Sequence, residues 1–103
     1  MIIELNKAIT KQSEFLEVLE IVKSSNSYLV EDGTELTKAQ DVVIRGYGVK
    51  YNLNVVFTLE SNNELSYFIN IYGGEQGEVV WTETSDFELL LSELNKWVAV
   101  FSN

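Results

Sequence analysis

The first clear element in the pattern of apolar and polar positions is an amphipathic helix that follows Thr10. Apolar residues recur there at intervals of three and four, which is the period of one helix face. That face holds Phe15, Leu16, Val18, Leu19 and Val22. The pattern predicts a helix with Thr10 as its N-cap, and the polar run 24–27 marks its end.

Alternation with a period of two dominates the middle of the chain and predicts paired antiparallel strands. Residues 51–60 and 65–72 each place apolar side chains at every second position. The segment 61–64 between them contains adjacent asparagines, which tolerate the left-handed conformation that tight hairpin turns require. Shorter apolar runs predict the remaining strands, at 28–30, 41–47 and 78–83.

The C-terminal segment predicts a second amphipathic helix. Ser85 and Glu88 have the spacing of a capping box, in which the serine covers a free backbone N–H and the glutamate reaches back to the cap. The apolar stripe that follows consists of Phe87, Leu90, Leu91, Leu94, Trp97, Val98 and Phe101. The order of elements predicts an α+β fold with an N-terminal helix, an antiparallel meander sheet of about four strands, and a C-terminal helix packed on the sheet.

Three further positions carry structural expectations. The segment Arg45-Gly46-Tyr47-Gly48 predicts a kink, because glycine in a strand often marks a bulge or a close approach of the backbone. Arg45 is the one arginine of the chain, and we expect it to pair with a neighbouring carboxylate. Trp81 and Trp97 are expected to fill the core between helix and sheet rather than to stack on a ligand.

Length and composition indicate the general class of protein. A chain of 103 residues with 46% hydrophobic residues is expected to fold as a single domain over residues 1–103. No apolar run approaches the ~20 residues of a membrane span, so we expect no membrane association. Glu4 stands where a signal peptide has its basic region, and the chain lacks cysteine. We therefore expect a cytoplasmic protein.

The residue types that are missing exclude most catalytic and metal chemistry. Without histidine or cysteine, the chain cannot form Ser-His-Asp or Cys-His systems, or thiolate or imidazole metal sites. No phosphate-binding glycine motif occurs. A pair of carboxylates could still act as an enzyme, but it needs a deep cleft that small domains seldom enclose. We therefore expect no catalytic residues, no metal and no cofactor.

Charge is distributed unevenly along the chain, whose formal net charge is −9. Residues 1–50 carry eight acidic and six basic residues, whereas residues 51–103 carry eight acidic residues and one base, Lys96. Such a field repels nucleic acid and membrane surfaces and attracts basic proteins. We therefore expect a basic protein as partner and no direct contact with nucleic acid. The alternative is that the charge only keeps the surface soluble.

Two acidic segments are candidates for partner binding. Glu60 and Glu64 flank the predicted hairpin turn, and Glu75 and Glu78 lie around the glycine-rich turn 73–77. These segments lie at opposite ends of one strand, so they cannot form one compact patch. A partner would bind at one of them or along the sheet edge.

The polar face of the predicted sheet is the other candidate. Asn52, Asn54, Phe68 and Tyr72 combine amide and aromatic groups, which provide large contact areas with adaptable hydrogen bonds. This face is open to solvent if both helices pack on the opposite one. The alternatives are that a helix covers Phe68, or that two copies pair their sheets as a homodimer.

In predicted architecture and charge, the whole chain is similar to the small acidic α+β immunity and inhibitor proteins of bacteria and phages. The resemblance includes no sequence motif, so no residue roles follow from it. It implies a protein that blocks a basic toxin or a nucleic-acid-binding enzyme such as a nuclease. The alternatives are a phage or mobile-element anti-defence protein, either a DNA mimic or anti-CRISPR-like, and a dimeric structural or regulatory subunit.

Overall fold

The fold consists of three helices and five strands, seen in a computed structural model that describes residues 7–24, 27–32, 41–48, 51–73 and 77–101. In chain order the elements are α1 (Lys7–Thr10), α2 (Ser13–Val22), β1 (Ser27–Asp32), β2 (Asp41–Tyr47), β3 (Asn52–Leu59), β4 (Leu65–Tyr72), β5 (Glu78–Thr84) and α3 (Phe87–Phe101). None of the helices in these ranges is long and apolar enough to cross a membrane.

The strands form one antiparallel meander in the order β1-β2-β3-β4-β5. The predicted α+β class is therefore confirmed, with five strands rather than about four. The additional strand is β1, predicted as the short run 28–30, which pairs with β2 along its whole length from Ser27 to Asp32. Since each strand pairs with its neighbour in sequence, the sheet forms from local hairpins.

The core lies between one face of the sheet and the helices. The alternating positions predicted to be apolar in β3 and β4 are buried there, including Leu53, Val55, Ile69 and Ile71. Residues of α2 and α3 belong to the same cluster, so both helices cover the same face of the sheet. Trp97 packs against this cluster, as the sequence predicts.

A row of aromatic rings on the helix-facing side of the sheet links α2 to α3. Phe15 of α2 meets Phe57 of β3 edge-on at 5.3 Å between ring centroids. Phe57 meets Tyr67 of β4 at 5.8 Å, and Tyr67 meets Phe87 of α3 at 5.5 Å. Edge-to-face and tilted pairs at these distances stabilise a core beyond the area that they bury.

The N-terminal helix differs from its prediction at its start and on its surface. Thr10 is the last residue of α1, and the N-cap of α2 is Gln12, whose side chain makes no capping hydrogen bond. The buried stripe of α2 is Phe15, Val18 and Val22, and Leu16 is 50% exposed. The predictions for Thr10 and Leu16 are wrong because the chain breaks into two helices and α2 buries only a narrow face.

The predicted capping box of the C-terminal helix is wrong, although the helix itself is confirmed. The Asp86 carboxylate, not Ser85, accepts the hydrogen bonds from the backbone N–H groups of Glu88 at 3.0 Å and Leu89 at 3.4 Å. The Asp86 N–H donates to the Thr84 hydroxyl at 2.9 Å. Aspartate caps a helix as well as serine does, and its charge also suits the positive end of the helix dipole.

The connections between strands confirm one predicted turn and correct one predicted irregularity. In the hairpin between β3 and β4, the backbone N–H of Glu60 donates to the carbonyl of Glu64 at 2.8 Å. Asn63 takes the predicted left-handed conformation, with φ of 65°. Gly46 pairs in an uninterrupted register with both neighbouring strands. No bulge therefore lies at Gly46, and the irregularity between β4 and β5 lies at Ile71/Tyr72.

Candidate functional site: the open sheet face

The sheet face opposite the helices is the candidate site, and we call it the open sheet face. No described helix packs on it, although Asp41 and Val43 on its β2 strand are buried, at 5% and 3% exposed. The strand register places the residues of this face in four rows that run across the strands. In order from the β3–β4 hairpin, the rows are Asp41, Thr58 and Ser66; Glu31, Val43, Val56, Phe68 and Glu83; Leu29, Arg45, Asn54, Asn70 and Trp81; and Ser27, Tyr47, Asn52 and Tyr72.

A chain of side-chain hydrogen bonds crosses four strands at the centre of this face. Arg45 of β2 donates to the Glu31 carboxylate of β1 and, at 3.1 Å, to the amide oxygen of Asn54 on β3. Asn54 donates in turn to the amide oxygen of Asn70 on β4 at 3.2 Å. We call these four residues the polar ladder. It confirms that Arg45 pairs with a carboxylate.

The polar ladder gives the open sheet face a fixed, neutralised centre. The side chains of Arg45 and Glu31 are 29% and 28% exposed, and Asn70 is 9% exposed. Charge-assisted bonds in such a partly shielded position are stronger than those at a fully solvated surface. The one arginine of the chain is thus occupied within the fold and is not presented as a free cation.

Trp81 is the most exposed large hydrophobic residue of the described chain, at 61%. Its indole lies on the open sheet face and meets the ring of Phe68 edge-on at 4.5 Å. The prediction that Trp81 fills the core is therefore wrong. Tryptophan normally buries most of its surface, so an indole left this exposed is a candidate contact for a partner.

Two carboxylates lie on the hairpin side of Trp81. Glu83 is exposed on β5, directly opposite Phe68 in the strand register. Glu60 is exposed at the hairpin and accepts a hydrogen bond from the hydroxyl of Ser66, a residue of the open sheet face, at 2.7 Å. Ser66 precedes Phe68 by two positions, so Glu60 lies towards the same end of the face. This end combines exposed aromatic surface with negative charge.

The predicted site residues fall into separate places. Phe68 contacts Trp81, Glu60 contacts Ser66 on the hairpin side of Phe68, and Asn54 is bound within the polar ladder. Asn52 and Tyr72 pair with each other across β3 and β4, in the row next to that of Asn70 and Trp81. Tyr72 lies two residues from Asn70 along β4, or about 7 Å, whereas Ser66, which binds Glu60, lies four residues from Asn70 in the other direction, or about 13 Å.

The acidic loop and the other hairpin glutamate lie elsewhere. Glu78 is the first residue of β5, with its Cα paired to Tyr72, and Glu75 lies outside the described residues. Gly73 donates its N–H to the carbonyl of Gly77 at 3.0 Å. This contact lies at the opposite end of β4 from Glu64, so the two turns lie at opposite ends of the strand, as predicted.

Glu64 lines a groove next to the helices rather than the open sheet face. The groove has a volume of about 410 Å³ and is lined by Gln12, Glu14, Asn63, Glu64, Leu65, Tyr67 and Ser85. Burial, with a smaller contribution from the negative charge of Glu14, raises the pKa of Tyr67 above its ordinary value of 10.0. The groove is wide open, and its tyrosine is a proton donor at neutral pH rather than a base.

Sequence reasoning missed Trp81, Glu83 and the partnership of Glu31 with Arg45 as parts of one surface. In β5 both Val80 and Trp81 are apolar, so alternation alone does not show which of them faces the helices. The signal lies in the strand register, because Trp81 pairs with Asn70, a polar-face residue. Within the described ranges, no group of acidic residues has the arrangement of a metal site.

Comparisons of the chain with protein-family models, with curated proteins and with solved structures found no match.

Proposed function

We propose that this protein is a small acidic binding protein that neutralises a basic partner, as an immunity protein neutralises a toxin or nuclease. The open sheet face is the docking surface, and its β5 edge around Trp81 is the centre of the contact. One observation supports this proposal above all others: an indole that is 61% exposed, held against Phe68 on a face that no described helix covers.

The composition of this surface is that of an interface centre. Tryptophan is among the residues whose truncation costs most binding energy, because it displaces a large area of water with little loss of conformational freedom. Here the indole is positioned by Phe68, and the polar ladder beside it, which begins at the Trp81 partner Asn70, is already hydrogen-bonded. A partner can therefore cover this face without leaving the ladder's polar groups unpaired.

Charge supports a basic partner. The net charge is −9, and no lysine or arginine occurs between Tyr51 and Asn95. A negative field of this kind accelerates encounter with a cationic surface and opposes approach to nucleic acid. The proposed mechanism is occlusion, in which the carboxylates take the place of substrate phosphates on the partner's basic patch.

Two alternatives receive less support from the same surface. A DNA mimic requires carboxylates in rows with the spacing of duplex phosphates, whereas Glu60 and Glu83 cluster at one end and Glu31 is neutralised by Arg45. A homodimer through the open sheet face would bring the acidic ends of two identical faces into one interface. Like charges repel there, and the described face presents no free cation to compensate.

The test is affinity capture from a lysate of the protein's own source, with washes at low and then high salt and identification by mass spectrometry. Wild-type protein is compared with Trp81→Ala and with Leu16→Ala. The latter removes an exposed apolar side chain from α2, on the other side of the molecule. Nuclease treatment of the lysate removes bridging nucleic acid.

We expect wild type and Leu16→Ala to retain one basic protein in stoichiometric amount and Trp81→Ala to lose most of it. Excess double-stranded DNA should compete with the chain for this protein. Equal capture by Trp81→Ala would refute the docking surface. Recovery of an acidic or neutral protein would refute occlusion of a basic partner, and recovery of further copies of this chain would favour the homodimer.

A further inference from the structure

We infer that the Trp81 patch, which we define as Phe68, Trp81 and Glu83, binds an arginine side chain of the partner. The inference rests on the proposed function and specifies the chemistry of its central contact. The guanidinium would lie on the face of the Trp81 indole and donate hydrogen bonds to the Glu83 carboxylate.

The geometry of β5 brings these groups within reach of one side chain. Trp81 and Glu83 are two residues apart on the same face of the strand, a separation of about 7 Å. Phe68 stands opposite Glu83, and its ring meets the indole edge-on at 4.5 Å, with an interplanar angle of 76°. Phe68 therefore supports part of the indole, and the 61% of Trp81 that is exposed remains for a ligand.

Arginine satisfies both halves of the patch. Its planar guanidinium stacks on an aromatic ring and donates to a carboxylate at the same time, whereas the compact lysine ammonium does one of these well. Leucine or phenylalanine would cover the indole but leave the Glu83 carboxylate desolvated without a partner, which is costly.

No cation of the described residues is available to the patch. Arg45, the one arginine of the chain, is bound to Glu31 and Asn54 within the polar ladder. Lys96 is exposed on α3, which packs on the opposite face of the sheet. Among the described residues the patch has no charge complement, and it is complementary in charge to a basic partner.

The test uses the indole N–H resonances of the full-length, isotopically labelled protein. Trp97 packs in the core, in edge-to-face contact with Tyr51 at 5.9 Å, and serves as an internal control. The probes are three short peptides that are identical except for a central arginine, lysine or glutamine. Trp81→Phe assigns the two signals.

We expect the arginine peptide to shift the Trp81 signal while that of Trp97 stays in place. The arginine peptide should bind about two- to five-fold more tightly than the lysine peptide, as an exposed cation–π contact predicts. Glu83→Gln should weaken arginine binding about two- to five-fold. The matched control Glu17→Gln removes the same charge from the exposed face of α2 and should leave arginine binding unchanged.

Two results would overturn the inference: equal affinity for the arginine and lysine peptides, or equal weakening by Glu83→Gln and Glu17→Gln. Either would mean that the peptides respond to net charge alone. The affinity capture described above separates this failure from failure of the proposed function. If the Trp81→Ala variant fails to capture the basic protein that wild type captures, the docking surface stands and only the arginine contact is wrong.

Discussion

The polar ladder should make Arg45 a strong contributor to stability even though it lies on the sheet face that no described helix covers. The perturbation is Arg45→Met, which keeps an unbranched apolar side chain of similar reach and removes the guanidinium. It leaves the Glu31 carboxylate without its ion-pair partner and the Asn54 amide oxygen without its donor.

The magnitude follows from the shielding of the pair. Exposed ion pairs contribute about 0–1 kcal/mol, and breaking a fully buried pair costs about 3–5 kcal/mol. The side chains of Arg45 and Glu31 are 29% and 28% exposed, which places the pair between these limits. Arg45→Met should therefore lower the free energy of unfolding by about 2 kcal/mol, since a hydrogen bond to a charged group contributes about 1.5–3 kcal/mol.

The assay is urea unfolding of a double-mutant cycle made from Arg45→Met and Glu31→Gln. The losses of unfolding free energy in the two single variants should add up to more than the loss in the double variant, by a coupling of about 1–2 kcal/mol. The control cycle is Lys23→Met with Glu20→Gln, a pair whose side chains are 42% and 74% exposed. A coupling for Arg45 and Glu31 no larger than in the control cycle would refute the argument that the open sheet face shields its centre.

Three further predictions concern stability. Asp86→Ala should lower the free energy of unfolding by about 1 kcal/mol through loss of the α3 cap, whereas Ser85→Ala should have little effect. A larger loss for Ser85→Ala would mean that Ser85 caps the helix, as the sequence pattern suggests. Because burial raises the pKa of Tyr67 above 10.0, the unfolded chain loses that proton first, so stability should fall as pH rises above 10.0. Tyr67→Phe should reduce that fall in urea unfolding at alkaline pH, and an unchanged fall would assign it to other groups. Trp81→Ala should cost about 1 kcal/mol and Leu94→Ala, in the core, about 2–5 kcal/mol; similar losses would mean that Trp81 is buried in solution.

The sheet could be predicted from the sequence because its pattern is local. In β3 and β4 every second residue is apolar, so the faces of Leu53, Val55, Ile69 and Ile71 follow from the two-residue period of a strand. The hairpin turn between these strands follows from the tolerance of Asn63 for a left-handed conformation. Each of these features depends on interactions over a few residues.

The position of Trp81 could not be predicted because β5 has no unambiguous alternation. Val80 and Trp81 are adjacent and both apolar, so the choice of face depends on the register with β4. That register shifts at Ile71/Tyr72, a long-range feature without a local sequence signal. A shift of one residue in register moves every side chain of a strand to the other face. Without the register, the sequence therefore offers no reason to place Trp81 outside the core.

The polar ladder is likewise a product of register. Glu31 and Arg45 are 14 positions apart in sequence, and Asn54 and Asn70 are 16 apart. The sequence indicates that Arg45 needs a carboxylate, but it offers many of them. Only the pairing of four strands selects Glu31 and lines up the two asparagines.

The account depends most directly on the exposure of Trp81 in the free protein, and acrylamide quenching of tryptophan fluorescence measures it. In a sample shown by sedimentation to be monomeric, we predict two emission components, one readily quenched and one protected. Trp81→Phe should abolish the quenched component and leave the protected signal of Trp97. If both tryptophans are protected in the monomer, the indole is covered within the chain itself, and the open sheet face is not a docking surface.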